Sequence, residues 1–335
     1  MDWLYYFMAL FFVLQPHIAA EAGAVGVNYG RLGNNLPPPT QVIQLLQSRN
    51  VNRIRLFSPD QDVLAALQGS GIEVIVGTYN QDLQNLGSDA SYAISWVNNN
   101  IVPYSGTVTF HCVAAGNEVI PSDLETYVLP AMKNLKTALQ SVNLGNIAVS
   151  TAVSTAVLGN SYPPSAGVFF NNDVMEPIVS FLAENQSPLL LNVYPYFAYA
   201  SNPNDISLSY ALLTSNQVVV WDGALGYTNL FDAMVDATYS ALEKAGCGSI
   251  DIVVSETGWP SAQNGDIATI PNAQTYINKL IEHASSGSGT PKRPGESIET
   301  YIFAVFNENL KPPGIEQNFG LFYPDMTEVY QVDFN

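Results

Sequence analysis

Short apolar runs typical of β-strands alternate with segments of helical spacing along almost the whole chain, and this alternation limits the fold more than any other feature. Strands that are apolar throughout indicate a parallel sheet that is buried on both faces. We predict strands at 24–30, 52–57, 72–77, 107–114, 147–154, 189–194, 250–255 and 300–306, with helices at 40–48, 61–67, 91–101, 124–141, 173–184, 229–244 and 273–284.

Eight strands, most of them followed by a helix, in a chain of 335 residues predict an α/β protein with a closed (β/α)8 TIM barrel. The alternative is an open doubly wound sheet, which binds phosphate at a glycine-rich turn after its first strand. The turn here holds Gly30 and Gly33 but lacks the later glycine of that motif, so the barrel is preferred. Residues 195–228 are long for one connection and predict a small extra subdomain around strand six, including a strand at 218–221.

Two glutamates stand directly after predicted strands. Glu118 follows strand four, and Glu256 follows strand seven. Barrel enzymes carry their active sites at the C-terminal ends of the strands, so the fold would bring these two side chains together. One protonated carboxyl group and one ionised carboxylate are what cleavage of a glycosidic bond requires. The sequence therefore predicts a glycosidase, whereas each glutamate alone could equally be a solvated acid at the end of a loop.

The charge and the aromatic content agree with a neutral sugar polymer as the binding partner. Asp and Glu number 29 against 11 Lys and Arg, giving a formal net charge of −18, which disfavours nucleic acid and anionic lipid surfaces. Aromatic residues make up 11% of the chain, and aromatic rings suit the C–H faces of sugars. A well-packed core with tyrosines at its rim is the alternative explanation. We expect the only two cysteines, Cys112 and Cys247, to be unpaired.

Five stretches make the prediction more specific, because together they resemble plant glycoside hydrolase family 17, the β-1,3-glucanases. The resemblance covers essentially the whole mature chain. It implies the barrel, retaining endo-hydrolysis of β-1,3-glucans of the callose or laminarin type, and no metal or organic cofactor. The stretches are GVNYGRLGNNLP at 26–37, AAGNEV at 114–119, LLNVYPYFAY at 190–199, VVSETGWPS at 253–261 and ETYIFAVFNENLKPPGIEQNFGLFYPD at 299–325.

The resemblance also implies roles for individual residues. Glu118 matches the general acid/base, Glu256 matches the nucleophile, and Asn117 is expected to bind the sugar 2-hydroxyl. A charged cluster, formed by Glu308, Lys311 and Glu316, would lie beside this pair, and its lysine would hold the nucleophile ionised. A surface ion pair is the alternative for Lys311 and Glu316. The expected sugar-binding residues are Tyr29, Asn192, Tyr194, Tyr196, Phe197, Trp259 and Phe306. For Trp259 and Phe306, packing in the core is the alternative.

One position departs from the family pattern. The family usually carries tyrosine at the end of strand two, and this chain has Phe57 after Arg55 and Leu56. A hydroxyl near the nucleophile would thereby be lost, so we expect a different rate or pH optimum. A β-1,3-1,4-glucanase and a transglucosylase remain alternatives within the same chemistry. A glucan-binding protein without catalysis is the more distant alternative, and the presence of both glutamates argues against it.

The first 22 residues are predicted to be a signal peptide. Residues 3–14 are almost wholly apolar but too short for a comfortable membrane span, and Ala20 and Ala22 supply the small residues of a cleavage site. No basic residue precedes the apolar run, which is atypical. Residues 23–335 would then form a single catalytic domain. We expect a secreted monomer without membrane association after cleavage, with the vacuole as an alternative location.

Overall fold

A computed structural model of the chain describes residues 25–334, in which eight parallel strands close into a barrel. The predicted signal peptide lies outside the described residues. Strand β8 pairs with β1, so the sheet has no open edge, and the predicted barrel is confirmed. The strands are β1 Val25–Asn28, β2 Arg53–Leu56, β3 Glu73–Gly77, β4 Thr109–Asn117, β5 Ala148–Ser154, β6 Leu189–Asn192, β7 Ile252–Thr257 and β8 Thr300–Ile302.

Helices connect the strands, and polar side chains fix where several of them begin. Asp60 accepts hydrogen bonds from the backbone N–H groups of Asp62 and Val63 at the start of the second helix, and Thr269 caps the last one. The helices are α1 Pro39–Ser48, α2 Gln61–Leu67, α3 Leu83–Ser88, α4 Ala90–Asn100, α5 Glu125–Ser141, α6 Asn172–Glu184, α7 Pro195–Ser201, α8 Leu208–Ala211, α9 Leu230–Lys244 and α10 Ile270–Ser285.

The alternation of side chains along each strand separates two apolar regions. In β2, Ile54 and Leu56 pack into the core between strands and helices. Successive strand residues face opposite sides, so Arg53 and Arg55 face the barrel interior. The middle of that interior is a small apolar cluster that includes Ile75 and its neighbours, namely Cys112, Ala114, Ala152, Leu190, Val253 and Tyr301. Arg53 and Arg55 therefore face the same interior as this apolar cluster.

The connection between β6 and α9 holds the predicted extra subdomain. It contains α7, α8 and a hairpin of Val220–Asp222 with Leu225–Tyr227, slightly later than the strand predicted at 218–221. Tyr210, Tyr227 and Ala233 form a small core of their own beneath the hairpin. The connection after β5 carries a second antiparallel pair, Leu158–Asn160 with Val168–Phe169.

Some predicted boundaries are wrong at the C-terminal ends of strands. Strand β8 ends at Ile302 instead of 306, and β6 ends at Asn192 instead of 194, whereas β4 continues to Asn117. Helix α3 was not predicted. Cys112 and Cys247 are free and buried, as predicted. No helix within residues 25–334 has the length and apolar character needed to cross a membrane.

Candidate active site

Backbone irregularities turn both glutamates toward the C-terminal rim. The β4–β5 pairing shifts register between Ala114 and Asn117, and the β7–β6 pairing shifts between Val254 and Glu256. Such bulges change the direction in which a side chain points and are common beside active sites. Glu118 itself has a φ of 53°, which is uncommon for a residue other than glycine, and its backbone N–H donates to the Ala152 carbonyl at 2.8 Å.

The amide of Asn192 connects the two glutamates. Its Nδ2 donates to Glu118 Oε1 at 2.8 Å and to Glu256 Oε1 at 2.9 Å. Because both oxygens bind the same nitrogen, the distance between them cannot exceed the sum of the two hydrogen-bond lengths. That sum is below the ~6.5 Å minimum separation of the two carboxyl groups in an inverting enzyme. The orientation of the amide is fixed because its Oδ1 accepts from the Ser255 hydroxyl at 2.8 Å and faces Arg55.

Arg55 supplies the positive charge beside Glu256. The side chain is 1% exposed, and its Nη1 donates to Glu256 Oε1 at 2.7 Å, while Nη2 donates to Asn117 Oδ1 at 2.7 Å. The guanidinium also lies 4.9 Å from the centre of the Phe57 ring. In the sequence, Arg55 stands out only as part of the pattern before Phe57. The signal that could have identified it is the alternation of two arginines with apolar residues in a buried strand.

Tyr194 provides a further hydrogen bond to Glu256. Its hydroxyl donates to Glu256 Oε2 at 2.9 Å. Burial, together with the negative charge of Glu256, raises the pKa of Tyr194 well above its ordinary value, so the hydroxyl keeps its proton. The hydroxyl next to Glu256 therefore comes from Tyr194, the residue that precedes α7, while the Phe57 ring contacts the Arg55 guanidinium. Glu256, which is 6% exposed, accepts bonds from an arginine, an amide and a phenol.

Glu118 is more exposed and has the opposite electrostatic character. Partial burial at the rim and the negative charges of Glu256 and Glu316 raise its pKa, and the hydrogen bond from Asn192 and the charge of Arg55 offset this only partly. One carboxyl group of the pair is therefore buried against a cation, and the other has an increased affinity for a proton. Such a difference of environment is how enzymes keep one carboxyl group protonated beside an ionised one.

The predicted charged cluster lies at the same rim but contacts different groups from those expected. Glu308 is 2% exposed, and its Oε1 accepts from the Leu32 N–H at 2.5 Å. Lys311 Nζ lies 3.6 Å from Glu308 Oε2 and 4.0 Å from the centre of the Phe303 ring. The prediction that Lys311 holds the nucleophile ionised is corrected by these contacts, because the cation bonded to Glu256 is Arg55.

A cleft of about 1070 Å³ runs across the rim, and both glutamates line it. Asn117, Asn192, Glu308, Lys311 and Glu316 line it as well, as expected. The cleft also has an extensive aromatic lining, which is formed by Tyr29, Phe57, Tyr79, Tyr194, Phe197, Phe303 and Phe319. Tyr79, Phe303 and Phe319 are not among the predicted sugar-binding residues. Tyr79 follows β3 almost directly, so the rule that located the glutamates would have found it.

Three predicted sugar-binding residues do not reach the cleft. Trp259 is fully buried and donates from Nε1 to the Ile267 carbonyl at 2.9 Å. Tyr196 is buried against Trp259, with ring centres 5.2 Å apart, and Phe306 packs between Tyr29 and Phe322. The prediction that these rings stack on sugar is therefore wrong, since they belong to the core beneath the rim. For Trp259 and Phe306, the core-packing alternative holds.

The site as a whole defines a class of protein. Within residues 25–334, no group of three or more His, Cys, Asp and Glu side chains is placed to hold a metal ion. The rim carries a buried carboxylate paired with arginine and a nearby carboxyl group of raised pKa. A closed barrel with such a pair at the C-terminal ends of β4 and β7 has the arrangement of a glycoside hydrolase.

Comparison with known proteins gives the family. The model of glycosyl hydrolases family 17 matches residues 25–334. A glucan endo-1,3-beta-glucosidase of Vitis vinifera is 51% identical over 98% of this chain and 96% of its own length. The basic vacuolar isoform GLB of the same enzyme from Nicotiana tabacum is 48% identical over 94% and 86%. The chain belongs to glycosyl hydrolases family 17.

Two solved structures agree with this assignment. CJP38, a beta-1,3-glucanase and allergen of Cryptomeria japonica pollen, superimposes with a TM-score of 0.90 at 50% identity, over 93% of this chain and 99% of its own. One of two plant beta-glucan endohydrolases with distinct substrate specificities gives a TM-score of 0.89 at 48% identity, over 92% and 100%.

Proposed function

We propose that the protein is a retaining endo-hydrolase of (1→3)-β-D-glucosidic linkages in β-1,3-glucans, with Glu118 as acid/base and Glu256 as nucleophile. The observation that carries the proposal is the Asn192 amide, which donates to one oxygen of each glutamate. This arrangement suits the ~5–5.5 Å separation of a retaining pair and leaves no room for the water molecule of an inverting one. The names of the relatives and of CJP38 support β-1,3-glucan as substrate.

In the proposed first step, Glu256 attacks the anomeric carbon and the glycosidic C–O bond breaks. Glu118 gives its proton to the departing oxygen, and an ester joins the sugar to Glu256. In the second step, the Glu118 carboxylate takes a proton from water, the water oxygen bonds to the anomeric carbon, and Glu256 leaves as a carboxylate. Arg55 and Tyr194 stabilise the negative charge that Glu256 carries before the first step and again after the second.

Asn117 has a free donor for the substrate. Its Oδ1 accepts from Arg55 and from Asn192, and its Nδ2 has no hydrogen-bond partner among residues 25–334. The amide is therefore oriented by the site itself, with its N–H groups left for a ligand. We propose that these groups bind the sugar 2-hydroxyl in the transition state, which is the interaction that strengthens as the oxocarbenium ion develops.

The cleft suits internal attack on a neutral polymer. Sugar rings would stack on aromatic side chains that do line the cleft, such as Phe197 and Phe303, each contact stabilising the complex by about 1 kcal/mol. We further propose that residues 23–335 form one catalytic domain, which acts as a secreted monomer after removal of residues 1–22. A vacuolar location is the alternative, since the tobacco relative is named a vacuolar isoform. That relative is named basic, whereas this chain has a net charge of −18.

A β-1,3-1,4-glucan endohydrolase is the second candidate, because a plant endohydrolase of the same fold belongs to a pair with distinct substrate specificities. The product profile on laminarin and on mixed-linkage glucan tests both candidates. We expect a ladder of short oligosaccharides from laminarin early in the reaction, and exclusive release of glucose would contradict endo-action. Preference for mixed-linkage glucan would support the second candidate. Oligosaccharides longer than the substrate would identify a transglucosylase.

The roles of the two glutamates require separate variants. Glu256→Ala should lose activity and be rescued by azide on an activated glycoside, giving the glycosyl azide of inverted configuration. Glu118→Ala should keep activity on glycosides with good leaving groups, because these need little protonation. The opposite pattern of rescue would exchange the two roles, and full activity of both variants on laminarin would contradict the catalytic proposal.

A further inference from the structure

A second concavity adjoins the cleft on the outer side of the rim. It has a volume of about 280 Å³ and lies between the loops after β2 and β3 and helix α4. Tyr79, whose side chain is 49% exposed, lines both spaces. Ser58 lines the cleft, and Pro59, the next residue, lines the concavity. The two spaces therefore share a wall, and a chain that leaves the cleft over Tyr79 enters the concavity, which we call the Trp96 pocket.

The side chains of the Trp96 pocket have the chemistry of a sugar site. Trp96 and Tyr92 provide aromatic surface, while Asp82, Ser95 and Asn99 provide acceptors and donors for hydroxyl groups. The volume is close to the lower end of the ~300–1,000 Å³ range of ligand sites. With a single carboxylate and no basic side chain in its lining, the pocket offers little to a polyanion.

Two side chains in this pocket, those of Trp96 and Asn99, lack hydrogen-bond partners among residues 25–334. Trp96 is 6% exposed, and its indole N–H makes no hydrogen bond to any residue in 25–334, although it is not sealed from solvent. The Asn99 amide likewise has no partner among the described residues. The neighbouring Asn100, in contrast, is bonded to Gln61 and to the Trp96 carbonyl. A largely buried indole with a free donor in a pocket is a group that a ligand hydroxyl can satisfy.

We propose that the Trp96 pocket is a distal subsite that holds a glucose unit of a β-glucan chain running out of the cleft past Tyr79. The proposal rests on the proposed function, since the occupant is the far end of the same substrate. The pocket shares only Tyr79 with the cleft, and neither catalytic glutamate lines it. It therefore acts only on substrates long enough to reach it, and it favours polymers over short oligosaccharides.

A blocking variant tests this length dependence. Asn99→Trp fills the pocket without changing a residue of the cleft, and Asn98→Trp places the same side chain one position along α4, outside the pocket. On a series of β-1,3-gluco-oligosaccharides, both variants should match the unchanged protein with short substrates. With long substrates, Asn99→Trp alone should lose about threefold to tenfold in kcat/KM. Equal values for both variants at every length would overturn the proposal.

A binding measurement separates this proposal from the proposed function. Within residues 25–334 the tryptophans are Trp96, Trp221 and Trp259, and Trp259 is fully buried. In a Glu256→Gln, Trp221→Phe background, long β-1,3-gluco-oligosaccharides should change the fluorescence of Trp96, whereas short ones should not. No change would overturn the distal subsite even if laminarin is hydrolysed. A response to long chains in a protein that never cleaves laminarin would contradict the proposed function alone.

Discussion

Strand β2 carries two arginines into the barrel, and the difference between their surroundings separates stability from chemistry. Arg53, at the N-terminal end, pairs with two carboxylates, Glu73 Oε2 at 3.1 Å and Glu299 Oε2 at 3.0 Å. Glu299 also accepts from the Tyr301 hydroxyl at 2.7 Å and lies 3.4 Å from His111 Nε2. Burial would raise the pKa of Glu299, but its bonds to His111 and Arg53 lower it overall. Every acid in this cluster is matched by a donor.

Arg55, two residues further on and on the same face, pairs with Glu256 but leaves the second acid of its cluster less compensated. The pKa of Glu118 is raised, whereas that of Glu299 is lowered. Both arginines lie on the same face of β2, and the difference comes from the acids: partial burial and the charge of Glu256 raise the pKa of Glu118, whereas His111 and Arg53 lower that of Glu299. The N-terminal network is electrostatically complete and can only stabilise, while the C-terminal network retains one group that binds and releases a proton.

The largest expected effect comes from removing the charge of the acid bonded to Arg55. Glu256→Gln should lower kcat/KM on laminarin by about 10⁴-fold or more, because the proposed covalent step is lost. Glu299→Gln is the matched control at the other end, and it should leave kcat unchanged. Hydrolysis rates and circular dichroism on both variants check this. If folded Glu256→Gln retained more than about a hundredth of the activity, the C-terminal end of β2 would not differ from the N-terminal end in its role in catalysis.

The two arginines can be compared directly. Arg53→Met should reduce the free energy of unfolding by about 3 kcal/mol, because Glu299 and Glu73 lose their counter-charge, while kcat of the folded protein is unchanged. Arg55→Met should lower kcat by roughly 10²–10³-fold, because Glu256 loses the cation to which it is hydrogen-bonded. Chemical denaturation and hydrolysis rates measure these effects. A loss of kcat in Arg53→Met would contradict the assignment of stability to the N-terminal network and chemistry to the C-terminal network.

A smaller effect concerns the pH range in which the N-terminal network stabilises the fold. The hydrogen bond to Glu299 raises the pKa of His111, against the effect of burial, so its stabilisation is complete below ~6.5 and is lost as the pH rises through its folded-state pKa. The lowered pKa of Glu299 gives stabilisation that is present above ~4.3 and is lost as the pH falls through its folded-state value. The network is therefore strongest between about pH 4.5 and 6.5.

His111→Gln tests this range. The difference in unfolding free energy between the unchanged protein and the variant should be largest within that pH window and should shrink above it, with a maximum below about 1 kcal/mol. Denaturation at a series of pH values measures the difference. Since His111 is distant from the cleft, the pH–rate profile should not change. A difference that grew with rising pH would show that neutral His111 is the stabilising form.

The sequence predicted the barrel because burial on both faces makes every strand apolar, and it predicted Glu118 and Glu256 because they follow two such strands. Arg55 could not be assigned in this way. Its partners lie at 117, 192 and 256, and only the closed fold shows that one inward position of β2 meets all three. A charged residue in a buried strand marks position 55 as unusual, but its hydrogen-bond partners can be identified only in the structure.

The aromatic predictions failed for a different physical reason. Trp259 and Tyr196 follow buried strands, but a large ring can fill the core beneath the rim as readily as face the cleft. Periodicity along the chain does not distinguish these sides once the strand has ended. Phe197 is 41% exposed, whereas the adjacent Tyr196 is 1% exposed, because the two residues lie on different faces of α7. Side-chain direction beyond a strand end depends on tertiary packing.

The smallest expected effect concerns the raised pKa of Glu118, which the donors around it do not fully offset. Burial raises its pKa most, Glu256 comes next, and Glu316 also contributes. As the proposed acid, Glu118 must be protonated, so a raised pKa extends activity toward higher pH. Glu316→Gln removes one negative charge and should lower the pKa of Glu118, which moves the basic limb of kcat/KM to lower pH by less than about one unit. The control is Glu328→Gln, since Glu328 pairs with Arg49 outside the cleft and should not move this limb. A shift to higher pH in Glu316→Gln would mean that Glu118 is not the group titrating on that limb, and the contrast between the two ends of β2 would then need a different acid.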